Sequence, residues 1–137
     1  MIIVYAYVCG DILHKGHIEH LKNCKALGDK LIVGVLTDKA IMEKKSKPTL
    51  NFDERFDLIR SLEMVDIVVT QNEYLPIENI KRIKPDVLVE SSSHEYIDKN
   101  YLRLIKNLGI RIIILPYYFG HSSTKIKNKV KKEGYFK

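Results

Sequence analysis

Apolar residues come in short, nearly unbroken runs along the chain: residues 2–8, 31–36, 65–69, 87–89 and 110–115. Each run is rich in β-branched side chains and bounded by Gly, Pro or polar residues. This is the pattern of strands buried on both faces in a parallel sheet, not the apolar–polar alternation of a sheet with one wet face. The intervening segments carry helical period. Ile18, Leu21, Cys24 and Leu27 share a face ahead of Gly28, which is predicted to stop that helix. Asn51-Phe52-Asp53-Glu54 has the form of a capping box and opens the face Phe52, Phe56, Ile59, Leu62. Pro76 stands where a helix can begin and Pro85 where one must have ended. Asp98 is placed to cap a helix carrying Leu102, Ile105 and Leu108, closed by Gly109. Strand and helix alternate throughout, which predicts an α/β fold: a doubly wound domain around a five-stranded parallel sheet. With 137 residues and no linker or repeat, one domain spanning 1–137 is expected. Ligands of such sheets bind beyond the carboxyl ends of the strands, so the loops that follow strands carry the functional question.

Composition narrows the classes. At 45% apolar and 29% charged the chain is globular, not disordered or fibrous. The net charge of +6 suggests nucleic acid only until it is located: from Arg103 onward nine Lys and Arg face a single acid, Glu133. The body before Arg103 is slightly acidic, and the basic tail lacks interleaved aromatics apart from Tyr135 and Phe136, so nucleic-acid binding is not favoured. Cys9 and Cys24 read as reduced thiols. The apolar opening run has no basic segment before it and is too short to span a bilayer, as is every other run, so a soluble cytoplasmic protein is expected.

The loop after the first strand reads Cys9-Gly10-Asp11-Ile12-Leu13-His14-Lys15-Gly16-His17 and runs into a helix. Free backbone N–H groups and the positive end of the helix dipole favour an anion at such a turn. Imidazole donors would grip a phosphate there, and glycine would let the backbone approach it. Zinc held by Cys9, His14, His17 and His20 is the competing reading, but a turn, a strand end and two helical positions do not match the spacing of structural zinc sites. His20 is placed at the surface and Cys24 in the core. Near the other end of the chain, Ser122-Ser123-Thr124-Lys125 opens the last helical stretch with more hydroxyls than a cap needs, a second candidate phosphate cradle.

The segment Asp11 to His17, the second run with Thr37-Asp38 at its end, and Gly120-His121-Ser122-Ser123-Thr124-Lys125-Ile126 together resemble the HxGH nucleotidyltransferase superfamily, in particular its glycerol-3-phosphate cytidylyltransferase-like family. The resemblance covers nearly the whole chain and implies a Rossmann-like fold. It also implies transfer of CMP from CTP to a small phosphorylated alcohol or phosphonate, with release of pyrophosphate. The acceptor would be of the glycerol 3-phosphate, phosphoethanolamine or phosphocholine, or 2-aminoethylphosphonate type. By the same resemblance His14, His17, Lys44 and Arg55 are the catalytic candidates. Cys9, Gly10, Asp11, Gly16, Ser122, Ser123, Thr124 and Lys125 are candidates for the nucleotide, with Mg2+ or another divalent cation as cofactor and Asp11 as its one side-chain candidate. Relatives are often homodimers. Taken without the resemblance, Lys44 is a solvated loop residue, Arg55 a surface ion-pair partner of Asp53 or Glu54, and Asp38 the cap of a short helix from Lys39.

Several positions depart from the family. Val8-Cys9-Gly10 stands for Gly-Thr-Phe, Glu63-Met64-Val65-Asp66 for an Arg-led motif, Glu90-Ser91-Ser92 for Gly-Asp-Asp, and Tyr117 for an arginine. Arginine clamps on phosphate are thereby lost. Asp38, Glu63, Glu90, Ser91 and Tyr117 become candidates for holding a different acceptor, and residues 34–41 resemble the branch that activates phosphonates. Base choice follows from the resemblance alone. An adenylyltransferase using ATP, as the related heptose-phosphate and flavin enzymes do, is the alternative within the class, and a nucleic-acid-binding module using the basic tail is the alternative outside it.

Overall fold

The computed structural model describes residues 1–91 and 98–116. The elements are β1 (Ile3–Val8), α1 (Lys15–Lys25), β2 (Lys30–Leu36), α2 (Asp38–Met42), α3 (Phe52–Arg60), β3 (Ile67–Gln71), α4 (Ile77–Ile83), β4 (Val87–Ser91), α5 (Lys99–Asn107) and β5 (Arg111–Leu115). The five strands form one sheet in the order β3-β2-β1-β4-β5, and every pairing is parallel. This is the expected doubly wound α/β architecture, and its strand order reverses between β1 and β4.

Alternation along the strands explains the two layers of helices. Val4 and Ala6 point to one face, with Leu31, Val33, Val35, Val87 and Val89, and pack on Leu21 and Cys24 of α1 and Ile59 of α3. Tyr5 and Tyr7 point to the other, with Ile32, Leu36 and Leu88, and meet Ile41 of α2, Ile80 of α4 and Tyr101 and Ile105 of α5. Each strand is therefore apolar on both sides, which is why the runs read as continuous.

The second face carries a buried polar network. The Tyr5 hydroxyl donates to Gln71 Oε1 at 2.6 Å and accepts from Asn79 Nδ2 at 3.0 Å; Asn79 also donates to Thr70 O. Burial pushes the Tyr5 phenol up to about 12, so it remains a donor. The Tyr5–Gln71 bond crosses β2 above Gly34, where an added Cβ would overlap the Tyr5 hydroxyl. Only glycine fits there.

Element ends differ from the sequence pattern where side chains take over from backbone. β3 begins at Ile67, two residues beyond the start of its apolar run. Asp66 uses its carboxylate to accept the Leu31 N–H at 2.8 Å and to pair with Lys25 at 2.6 Å, and Val65 closes a turn onto Leu62 O. α1 ends at Lys25 with Ala26 as its C-cap, short of Leu27 and Gly28. The capping box of Asn51 and Glu54 forms as predicted, Asp98 caps α5, and Lys84 in the left-handed region closes α4 just ahead of Pro85.

Candidate functional site

A cleft of about 870 Å³ opens at the carboxyl ends of β1, β2 and β4, where the fold predicts a ligand. Its lining includes Cys9, Gly10, Asp11, Gly16 and His17 from the loop and helix after β1, Lys44, Lys45, Ser46 and Lys47 from the loop after α2, and Tyr7, Tyr74 and Ser91.

The histidine wall is built by local geometry. Gly10 turns the chain out of β1 at φ +72°, in the left-handed region that favours glycine. His14 then caps α1: its Nδ1 accepts the Gly16 N–H at 3.0 Å, and its own N–H donates to His17 Nδ1 at 3.2 Å. Two histidines thus perform the reciprocal capping that Ser and Glu perform in an ordinary capping box. A backbone N–H can only donate, so both Nδ1 atoms are unprotonated and each neutral ring carries its proton on Nε2. The rings lie 4.0 Å apart, centroid to centroid. Burial first, then the neighbouring His14 and Lys45, hold the His17 imidazolium below its ordinary range. The result is a pair of Nε2–H donors at the N-terminus of an eleven-residue helix.

Lys44, Lys45 and Lys47, all exposed, line the same cleft. Lys45 is near enough to favour the thiolate of Cys9, although burial dominates and leaves that thiol raised. Among the described lining residues Asp11 is the one acid. Its two carboxylate oxygens accept the backbone N–H groups of Thr49, at 3.0 Å, and Leu50, at 2.8 Å. These two bonds hold the Asp11 carboxyl below the usual range. Asp11 thus ties the histidine turn to the loop at Thr49 and Leu50, and among the described residues no group of three or more His, Cys, Asp or Glu is arranged to hold a metal ion. The zinc grouping of Cys9, His14, His17 and His20 is not assembled. His20 lines the cleft one turn beyond His17 instead of standing at the surface, with its Nε2 3.7 Å from the buried Cys24 thiol.

Arg55 differs most from its expected setting. It is fully buried rather than a surface partner of Asp53 or Glu54. Its Nη1 donates to Cys9 O at 2.7 Å and Leu36 O at 2.6 Å, its Nε to Leu50 O at 3.2 Å and its Nη2 to Asp38 Oδ1 at 2.6 Å. These bonds join the ends of β1 and β2 to the lysine loop and leave the guanidinium committed to the protein. Asp38 is thereby the Arg55 partner, and the cap of α2 is Thr37, whose Oγ1 accepts the Ala40 N–H.

Of the acceptor candidates, Ser91 lines the cleft and Glu90 lies buried just behind it. The two Glu90 oxygens accept the hydroxyls of Tyr7 and Tyr101, each at 2.6 Å; burial and the Glu90 charge push both phenols well above their usual range. Glu63 is corrected: it is exposed in the turn between α3 and β3, at the amino end of the sheet, opposite the cleft. Tyr117, Ser122, Ser123, Thr124 and Lys125 lie outside the described residues. The cleft also contains Tyr7, Tyr74, Lys45 and Lys47, which the sequence reading did not select. For Tyr7 a signal existed, since it stands at the carboxyl end of the central strand; the lysines were hidden in what read as a solvated charge run.

Residues 8–129 match the cytidylyltransferase-like family, and the chain belongs to it, within the HxGH nucleotidyltransferases. Among curated proteins it is similar to the bifunctional protein HldE of Campylobacter fetus, with 34% identity over 134 residues, and to that of Helicobacter pylori strain J99, with 36% over 132. These alignments cover 94% and 95% of this chain but 28% of each relative, so the chain spans a little over a quarter of their length. Among solved structures, a lipopolysaccharide core biosynthesis protein from Thermoplasma volcanium superposes with a TM-score of 0.77 at 30% identity, covering 88% of this chain and 99% of that one. A pantoate-beta-alanine ligase from Francisella tularensis shares the fold at a TM-score of 0.58 and 17% identity. Among the described residues no helix is long and apolar enough to cross a membrane.

Proposed function

We propose that the cleft binds a nucleoside triphosphate and transfers its nucleotidyl group to a small acceptor that already carries a phosphate or phosphonate. The observation that carries this reading is the charge layout. His17, with its Nε2–H left as a donor at a helix N-terminus and the His14 ring 4.0 Å beside it, shares one cleft with three exposed lysines, and the single acid in the described lining accepts two backbone N–H groups. That is a receptor for a polyanion.

In the proposed step an acceptor oxygen forms a bond to the α-phosphorus in line with the leaving group. The α–β bridging P–O bond breaks, and pyrophosphate departs with that electron pair. The acceptor oxygen is already anionic, so no general base is needed. Catalysis then consists of positioning and of donors aimed at oxygens whose charge grows. His17 supplies such a donor from the cleft lining, with His14 next to it at the same helix start, and Lys44, Lys45 and Lys47 answer the β and γ charge. Mg2+ stays in the proposal as a companion of the triphosphate, the usual mode for an ion that keeps its waters and takes few protein ligands. Among the described residues no cluster of three or more His, Cys, Asp or Glu forms a cage for it.

The relatives bear on the base. Similarity to HldE proteins and to a lipopolysaccharide core biosynthesis protein supports the heptose-phosphate branch of the superfamily, hence ATP as donor and a sugar phosphate as acceptor, over CTP. The cytidylyl reading stands second on one observation: the stretch 34–41 resembles the phosphonate-activating branch. Pyrophosphate release, measured with ATP and with CTP against sugar 1-phosphates, phospho-alcohols and phosphonates, separates the two. Turnover with ATP and a sugar phosphate supports the first, and turnover with CTP and a phosphonate transfers the proposal to the second. A folded sample that releases pyrophosphate with no pairing ends both.

A further inference from the structure

The lysine loop has no secondary structure of its own from Ser46 to Leu50, yet it supplies one wall of the cleft. Its first end leaves α2, where the Lys44 and Lys45 N–H groups still donate to Ile41 O at 3.1 and 2.8 Å. Its second end is held from the side. Asp11 takes the N–H groups of Thr49 and Leu50, and Arg55 takes the Leu50 carbonyl. Asp11 belongs to the same turn as His14, and Arg55 also grips Cys9 O at the start of that turn. A carboxylate free to face a triphosphate would repel it. Here that charge is satisfied by two backbone donors and thereby joins the loop to the histidine turn.

We propose that Asp11 and Arg55 act on the triphosphate indirectly, as one positioning unit that holds the segment from Lys44 to Lys47 against the His14–His17 turn. Neither residue then contacts substrate or metal; each acts through the lysines. The proposal rests on the triphosphate reading for its consequence, but the clamp itself can be tested without it.

Arg55 is fully buried, and its variants carry a risk of misfolding, so the tests use Asp11. In Asp11→Ala, trypsin is expected to nick the native protein after Lys44 and Lys45 at least about tenfold faster than in wild type. Cleavage after Lys106 in α5 should be unchanged. Asp11→Asn keeps one acceptor oxygen and should fall between. ATP affinity, measured by calorimetry, should drop about tenfold in Asp11→Ala, of the order expected when two charge-assisted bonds that order a loop are lost. A variant with Lys44, Lys45 and Lys47 all changed to Ala should lose affinity, and adding Asp11→Ala to it should cost nothing more, because both changes remove one effect. Unchanged nicking overturns the clamp. Additive losses of affinity would show that Asp11 reaches the ligand by another route. If the wild type binds no nucleoside triphosphate, the functional reading falls while the nicking still decides the clamp.

Discussion

His17 illustrates how much chemistry one side chain takes from its setting. Its Nδ1 is occupied by the His14 N–H, so its only free donor is Nε2–H, and its partly buried ring resists a second proton. In His17→Ala, kcat is expected to fall by about 10²–10³-fold with a smaller change in KM, the pattern of a donor used most in the transition state; steady-state kinetics on a variant with unchanged circular dichroism checks this. The depressed pKa also has a consequence for stability. Above the ordinary value of 6.5 neither folded nor unfolded chain carries this proton; below it the unfolded chain takes up a proton that the folded chain resists, so stability declines as pH falls through that window. Thermal unfolding at about pH 7.5 and about pH 5.5 should show a smaller loss in His17→Gln than in wild type. Sequence reasoning could place both histidines at the helix start, because a strand, a glycine turn and a helix are all visible as pattern. It could not see that they cap each other, since His is not a residue from which a capping box is read.

At the scale of elements, the strands and most helix caps were legible because they depend on near neighbours: the runs buried on both faces, Asn51 with Glu54, and Asp98 ahead of α5. What was not legible depends on partners far along the chain. Arg55 finds Cys9, 46 residues away, and Leu36, 19 away; Asp11 finds Thr49 and Leu50. Nothing in Asp53-Glu54-Arg55 distinguishes a surface ion pair from a buried hub. Glu63 was misplaced for the opposite reason: its motif matched a pattern, while topology puts the turn before β3 at the wrong end of the sheet. Gly34 offers a test of the packing that links elements. Gly34→Ala places a methyl against the Tyr5 hydroxyl and breaks the bond to Gln71, which should cost about 2–4 kcal/mol in chemical denaturation. A loss under about 0.5 kcal/mol would mean that the network tolerates displacement.

For the molecule as a whole, the net charge of +6 divides into a mildly acidic body and a basic tail, and three lysines of the body, Lys44, Lys45 and Lys47, line the cleft with the histidine turn. A polyanion site in a protein of the cytidylyltransferase-like family should weaken with salt: the apparent affinity for ATP, measured by calorimetry, is expected to drop several-fold between about 0.05 M and about 0.5 M salt. An affinity indifferent to salt would remove the lysines from the account. The central claim is that the bond broken lies between the α- and β-phosphorus atoms of the bound triphosphate. It is tested most directly by incubating the protein with nucleotide labelled with ³²P at either the α or the γ position, together with a phosphorylated acceptor, and separating the products. Label from the α position should appear in a new diphosphate-linked conjugate, and label from the γ position in pyrophosphate. Label from the γ position in the acceptor or in inorganic phosphate, with the α label left in a nucleoside diphosphate, would contradict it.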